Sequence, residues 1–305
     1  MRHPGEIAVQ RRAGVQGDER GSSRTRPEIP DVAAAFLRAQ HMLVVGAADD
    51  QGRFWSGVMT GPPGFASPED DRTIVVRALP GPPLDGLFVQ ERDIGLLAIE
   101  PHTRRRMRVN GTAVHAGDAL VIWTEQVYSN CPKYIQTREP TTEPAATPVR
   151  LGGGTALLAR HQEWIGTADT FFIATGVEGL GADVSHRGGN PGFVHVTGPK
   201  SLTFPDYVGN SMYMTLGNLV VNPAAGLLFV DWEGGETLHL TGRATVDWDP
   251  GDVPGAQRLV RFDLDEYAHV AGTVAPDWTA PGYHRFNPPA PGNASRTSGE
   301  RTARR

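Results

Sequence analysis

Three stretches of the chain carry side chains suited to an anionic, phosphate-bearing ligand. The first is Ser185-His186-Arg187-Gly188-Gly189-Asn190-Pro191-Gly192-Phe193. It sets a hydroxyl, an imidazole and a guanidinium ahead of two glycines. A guanidinium matches a phosphate with two parallel hydrogen bonds, and glycines let backbone amides approach closely. Alone, the stretch reads equally well as a polar hairpin turn. The second is Phe204-Pro205-Asp206-Tyr207-Val208-Gly209-Asn210, ahead of a helix expected from Ser211 to Val221. Asn210 is a good N-cap there, and first-turn amides are free to meet an anion. By itself this is an ordinary capped helix. The two stretches fall at successive strand ends, so one phosphate could bridge Arg187 and the helix start. The third stretch, Tyr128-Ser129-Asn130-Cys131-Pro132-Lys133-Tyr134-Ile135-Gln136, adds a thiol and an ammonium. On their own, Cys131 reads as a small buried hydrophobe and Lys133 as a solvated helix start.

Other chemistries have weaker support. The ten histidines show no HExxH spacing, and the single cysteine has no CxxC partner. There is no GxSxG, no P-loop and no strand-coupled GxGxxG. The basic run Arg104-Arg105-Arg106, with Arg108 nearby, is expected to form a solvated face of a strand.

The elements that position these stretches come in two copies. Trp55-Ser56-Gly57 aligns with Asp183-Val184-Ser185, and Pro63-Gly64-Phe65 with Pro191-Gly192-Phe193, both 128 positions apart. Gly95-Leu96-Leu97 aligns with Gly226-Leu227-Leu228, and Asn110-Gly111 with Thr241-Gly242, at 131. Leu120-Val121-Ile122-Trp123 is set against Leu259-Val260-Arg261-Phe262, at 139. A unit this long is a domain, not a solenoid repeat. The copies have kept different residues. Cys131 and Lys133 belong to the first, whereas Arg187 and the Pro-Asp-Tyr-x-Gly-Asn stretch belong to the second. That complementary loss is what two halves of one shared site would show.

Each copy reads as six or so short, β-branched strands separated by Gly/Pro turns, with one helix before the GLL strand. Helices are expected at Val32–Gln40 after a capping Asp31, at Leu84–Gln90, and from Thr155 to Trp164. With 37 glycines and 25 prolines, the composition favours this strand-and-turn pattern. The expected fold is mainly β: two tandem small barrels, pseudo-twofold within one chain, with a few short helices. The expected limits are a disordered tail at 1–28, a first barrel at 29–138 ending in an NCPKYIQ helix, and a linker at 139–154. A second barrel at 155–273 carries the phosphate motifs, and an extended or disordered tail follows at 274–305. A net charge of −5 gives no global pull toward nucleic acid. The lone cysteine, the absence of a signal-peptide core and the absence of an apolar span point to a cytoplasmic setting, with no membrane partner.

The motifs together resemble the flavin-binding proteins related to pyridoxamine 5′-phosphate oxidase, which share the FMN-binding split β-barrel. The resemblance rests on Phe172-Ile173-Ala174-Thr175, on Ser185-His186-Arg187-Gly188 through Pro191-Gly192-Phe193, and on Pro205, Gly209 and Asn210. It also rests on Asn218, Asn222-Pro223, Gly226-Leu227-Leu228-Phe229 and a Cys131-x-Lys133 pattern displaced into the other copy. It implies FMN held between the barrels, with Ser185, His186, Arg187, Gly188, Asp206, Tyr207, Asn210, Asn218, Lys133 and Cys131 as cofactor-binding residues. Lys133 would reach across to the flavin. It further implies an oxidoreductase acting on an unidentified small substrate, with electrons from NAD(P)H or a separate reductase, as a monomeric pseudo-dimer or a homodimer. The oxidase proper has an Arg-Lys pair where this chain has Ser211-Met212, which argues against vitamin B6 oxidation. The alternative is a non-catalytic flavin or haem carrier or sensor.

Overall fold

The computed structural model of the chain describes residues 3–15, 25–142 and 147–289. Its strands are β1 (Met42–Ala48), β2 (Phe54–Thr60), β3 (Ala66–Pro68), β4 (Thr73–Val76), β5 (Arg92–Glu100), β6 (Arg105–Ala116) and β7 (Ala119–Ser129). After β8 (Val149–Gly154) come β9 (Thr170–Val177), β10 (Gly181–Gly188), β11 (His195–Gly198), β12 (Ser201–Tyr207), β13 (Ala224–Val230), β14 (Thr237–Asp247) and β15 (Ala256–Ala271). The helices are α1 (Pro4–Arg12), α2 (Asp31–Arg38), α3 (Ala159–Thr167) and α4 (Met214–Val221).

One sheet runs β2-β1-β5-β6-β7-β4-β3 and the other β10-β9-β13-β14-β15-β12-β11, so the two share one strand order. Both paths are antiparallel throughout. Side chains from all seven strands of the first sheet meet in a single apolar core, so the sheet must wrap around it. A second core, built on Phe171, Phe204, Phe229 and Phe262, fills the other sheet.

The strands between the two cores are apolar on both faces. On β1, Leu43, Val45 and Ala47 point into the first core, while Met42 and Val44 join the layer between the sheets. A strand buried on both sides reads as an unbroken apolar run, which is how Met42–Val45 reads. The sheets approach closely enough to require glycine. A Cβ on Gly95 would lie 2.8 Å from Asp183 Cα, and one on Gly226 would lie 2.8 Å from Trp55 Cα. These are the same contact seen from the two halves.

The register tests the repeat residue by residue. Gly46 pairs with Ser56 and Gly95; Ala174 pairs with Val184 and Gly226, at offsets of 128 and 131. The last alignment is off by one. Val114 pairs with Val121, and Thr245 with Arg261, which lies 140 beyond Val121. A one-residue slip turns every side chain to the wrong face. At 140, buried Leu120 and Ile122 correspond to buried Val260 and Phe262.

Several expected elements differ. The tail expected at 1–28 contains α1, whose N-terminus is capped by His3 Nδ1 and whose Val9 and Gln10 are buried. Gly5 and Gly217 let α1 cross α4 at backbone contact: a Cβ on Gly5 would sit 2.0 Å from the Gly217 carbonyl oxygen. The expected linker contains β8, which extends the second sheet by pairing with β15. The described part of the 274–305 tail is irregular, with a left-handed Asp277, a turn at 285–286 and bridges from Trp278 to Pro140 and Gly282 to Thr137. The helix expected at Leu84–Gln90 is only a 3-10 turn at Leu87–Val89, entered through a left-handed Gly86. The NCPKYIQ segment is a turn, not a helix, and Tyr134 there has a φ of 67°. The remaining parts of the tails and linker, 1–2, 16–24, 143–146 and 290–305, lie outside the described residues. No helix among the described residues is long and apolar enough to cross a membrane.

Candidate functional site

Eight of the ten residues expected at a ligand line one cleft between the two sheets: Cys131, Lys133, His186, Arg187, Gly188, Asp206, Tyr207 and Asn210. The cleft encloses about 100 Å³ and opens outward. The first half contributes β6 and the turn after β7. The second half contributes the end of β10, the end of β12 and the start of α4.

The turn after β7 is pressed against β10. A Cβ on Gly188 would lie 2.1 Å from the Tyr134 carbonyl oxygen, so glycine is required where the halves meet. Tyr134 donates its hydroxyl to the Val208 carbonyl at 3.1 Å and packs on the Tyr207 ring at 5.2 Å. The expected Asn210 cap is not formed. Asn210 Oδ1 accepts from Met212 N at 3.2 Å, and α4 begins only at Met214, after a left-handed Tyr213. Ser211, at φ 60°, is also left-handed, so this entry is strained at two non-glycine residues. The first amides of α4 still lack intrahelical partners, as at any helix start. Gln10 of α1 holds the strained loop by donating to the carbonyls of Ser211 (3.2 Å) and Met212 (3.3 Å).

Ser185 and Asn218 do not line the cleft. Ser185 is buried, with Oγ 2.6 Å from Thr215 Oγ1 and 3.2 Å from Asp183 Oδ2. Asn218 donates to Thr175 Oγ1 at 3.0 Å, and Asn222 to the Gly176 carbonyl at 2.9 Å. The two asparagines pin α4 to β9, one layer behind the cleft.

Of the arginines expected on a solvated face, Arg106 and Arg108 are in the site, whereas Arg105 is exposed. Arg106 and Arg108 alternate along β6 with buried Met107 and Val109, and both turn into the cleft. Arg108 forms an ion pair with Asp183 at 3.0 Å and donates to the Tyr128 hydroxyl at 3.3 Å. Arg187 pairs with Asp206 at 2.7 Å, and Arg258 reaches the same carboxylate at 3.4 Å. Arg106 has no carboxylate partner among the described residues. It donates to the Cys131 carbonyl at 2.7 Å and meets His186 Nδ1 at 3.0 Å. Burial, then Arg108 and Arg187 beside it, pushes Arg106 down to about 9. Burial, then Arg106 and Arg187 beside it, holds His186 well below the usual imidazole range, so its Nδ1 is the acceptor.

The Nε atoms of Arg106, Arg108 and Arg187, and Oδ1 of Asn130, are buried without a partner. Among the described residues, five cations in and beside the cleft (Arg106, Arg108, Lys133, Arg187, Arg258) face two carboxylates, Asp183 and Asp206. Buried donors of this kind are costly unless something completes them. The excess of positive charge suits a phosphate monoester, which is anionic near neutral pH. Arg106, Arg108, Asp183, Thr215 and Gln10 escaped sequence reading. The available signal was alternation: Arg-Met-Arg-Val on β6, and Asp183-Ser185-Arg187 along β10.

No family model matches the chain, and no curated protein matches it. Among solved structures, HupZ from Group A Streptococcus is 11% identical, covering 40% of this chain and 99% of its own, with a TM-score of 0.31. A candidate pyridoxamine 5′-phosphate oxidase from Lactobacillus delbrueckii is 15% identical, covering 39% and 97%, with a TM-score of 0.31. An FAD-binding protein from Mesorhizobium loti is 12% identical, covering 41% and 98%, with a TM-score of 0.28.

Proposed function

We propose that the protein binds FMN between its two halves and acts as a flavin-dependent oxidoreductase on a small substrate. The observation that carries this reading is the cation excess of the cleft, with three guanidinium Nε donors unpartnered beside the start of α4. A phosphate monoester fits that donor set in charge and in hydrogen-bonding sense. Arg187 and Arg106 would hold it from opposite halves, and Asp206 keeps Arg187 in place. The enclosed space suits a phosphate group, so the rest of the ligand would lie toward the mouth.

When bound, the flavin would supply the electron transfer, while the protein fixes its position and electrostatics. Lys133, also in the cleft, is assigned to the ring side, where a cation favours the reduced, anionic form. Its ammonium now sits 5.6 Å from the centre of the Phe286 ring, with no carboxylate partner among the described residues. Electrons would come from NAD(P)H or from a separate reductase.

The test is an absorbance spectrum of the purified protein followed by titration with FMN. The expected result is micromolar or tighter binding, weakened about 10- to 100-fold by Arg187→Ala through loss of a charge-assisted contact. Absence of flavin uptake at micromolar FMN defeats the proposal. Anaerobic bleaching of the bound flavin by NADH or NADPH then tests the redox role.

A further inference from the structure

A second recess adjoins the cleft and shares Arg106, Asn130, Cys131, Asn210 and Met212 with it. Its volume is about 980 Å³, room for a sizeable organic molecule. The floor is apolar, built from Phe36, Met107, Val127 and Met212, all buried. Val32 of α2 stands at its edge, 68% exposed.

The rim is basic. Arg26, Arg104, Arg105 and Arg106 line the recess, and no aspartate or glutamate among the described residues does. None of the four forms an ion pair with a carboxylate of the described residues. Arg104 is fixed by hydrogen bonds to the carbonyls of Ile135 (2.9 Å) and Gly282 (3.0 Å), which orient it without neutralising it. Arg105 lies over the Phe36 ring at 4.7 Å, a cation against the apolar floor. In a chain of net charge −5, four unpaired cations around one apolar hollow are a local field of the opposite sign.

We propose that this recess binds a small organic anion with a planar apolar body, seated beside the ligand of the cleft. The apolar body would lie on the Phe36 and Met107 floor. The carboxylate or phosphate would meet the arginine rim. The role of this anion as substrate rests on the flavin reading; its binding does not.

The experiment is calorimetric titration of the full chain with 1-naphthoate and with its neutral counterpart, 1-naphthamide. Naphthoate is expected to bind, and the amide about tenfold more weakly or worse, the loss of one charge-assisted contact. Val32→Glu places a carboxylate at the recess mouth, on an exposed first-turn position where glutamate suits a helix. It is expected to abolish naphthoate binding, whereas Val32→Gln retains it. Equal affinity for the amide, or an unchanged naphthoate affinity in Val32→Glu, overturns the proposal. The titration is repeated with FMN-saturated protein. Undiminished naphthoate binding supports a separate site. Displacement of naphthoate by FMN overturns it and leaves the flavin reading intact. Naphthoate binding by a protein that takes up no FMN upholds the recess and removes the cleft reading.

Discussion

Arg106→Gln separates a ligand-binding guanidinium from a structural one. The parent group is charged, buried and without a carboxylate among the described residues, and burial with Arg108 and Arg187 lowers it to about 9. A guanidinium keeps its proton at neutral pH, so the conflict appears as lost stability and not as lost charge. At ~1.4 kcal/mol per pH unit, that depression corresponds to ~3–5 kcal/mol, the lower end allowing for solvent screening at its open edge. Glutamine keeps a donor but gives up the charge-assisted bonds to the Cys131 carbonyl and His186, costing ~2–3 kcal/mol. The ligand-free variant should therefore be more stable by ~1–2 kcal/mol, a rise in Tm of about 2–6 °C. The same change should weaken FMN binding about 10- to 100-fold. Scanning calorimetry with and without FMN reads both effects, which have opposite signs. A variant that melts lower and binds FMN unchanged would refute the reasoning and make Arg106 a bracket for the turn after β7.

Acid should destabilise the fold before carboxylates titrate. Burial first, then His269, pushes His161 down to about 4, and burial pushes His239 down to about 4 against the opposing bond to Ser56. The unfolded chain takes up these protons nearer 6.5, so stability falls as pH drops from 6.5 to 4, by ~3 kcal/mol per histidine. Urea midpoints from pH 7 to 4 should show this slope, and His161→Phe should remove about one histidine's share of it. Asp183→Ala leaves Arg108 buried and unpaired and should cost ~3–5 kcal/mol in urea unfolding, with Asp183→Asn costing less. Gln10→Ala releases the Ser211 and Met212 carbonyls. It should cost ~1–2 kcal/mol and speed amide exchange across 211–216, weakening FMN binding in parallel.

The strand plan was legible because apolar runs and glycine pairs fix it. Gly95 and Gly226 keep their place in both copies, and the pairing of Gly46 and Ala174 follows the offsets read from sequence. The 139 alignment failed across the turn between the two strands, which is two residues (117–118) in the first copy and eight (248–255) in the second, a length that the apolar pattern does not fix. The helix start was misplaced because Asn210 is a good cap by type, whereas the loop passes through left-handed Ser211 and Tyr213 first. α1 was missed because its burial depends on one distant glycine, Gly217, that lets two backbones touch. The arginines of β6 were missed for a related reason. A run of three basic residues reads as solvated unless the opposite sheet is known to cover it.

That both halves belong to one chain has a consequence for how occupancy responds to dilution. A pocket assembled from two separate subunits disappears when the subunits part, so its apparent affinity falls with protein concentration. Here the encounter of β6 with β10 is intramolecular, at an effective concentration of about millimolar order or higher set by the connection between halves. Occupancy of the proposed site should then depend on free ligand alone. The covalent join also lets one half change without the other: Arg106 and Arg108 in the first correspond to Thr237 and His239 in the second. A protein made of two identical chains could not place a cation pair on one side of its axis without repeating it on the other.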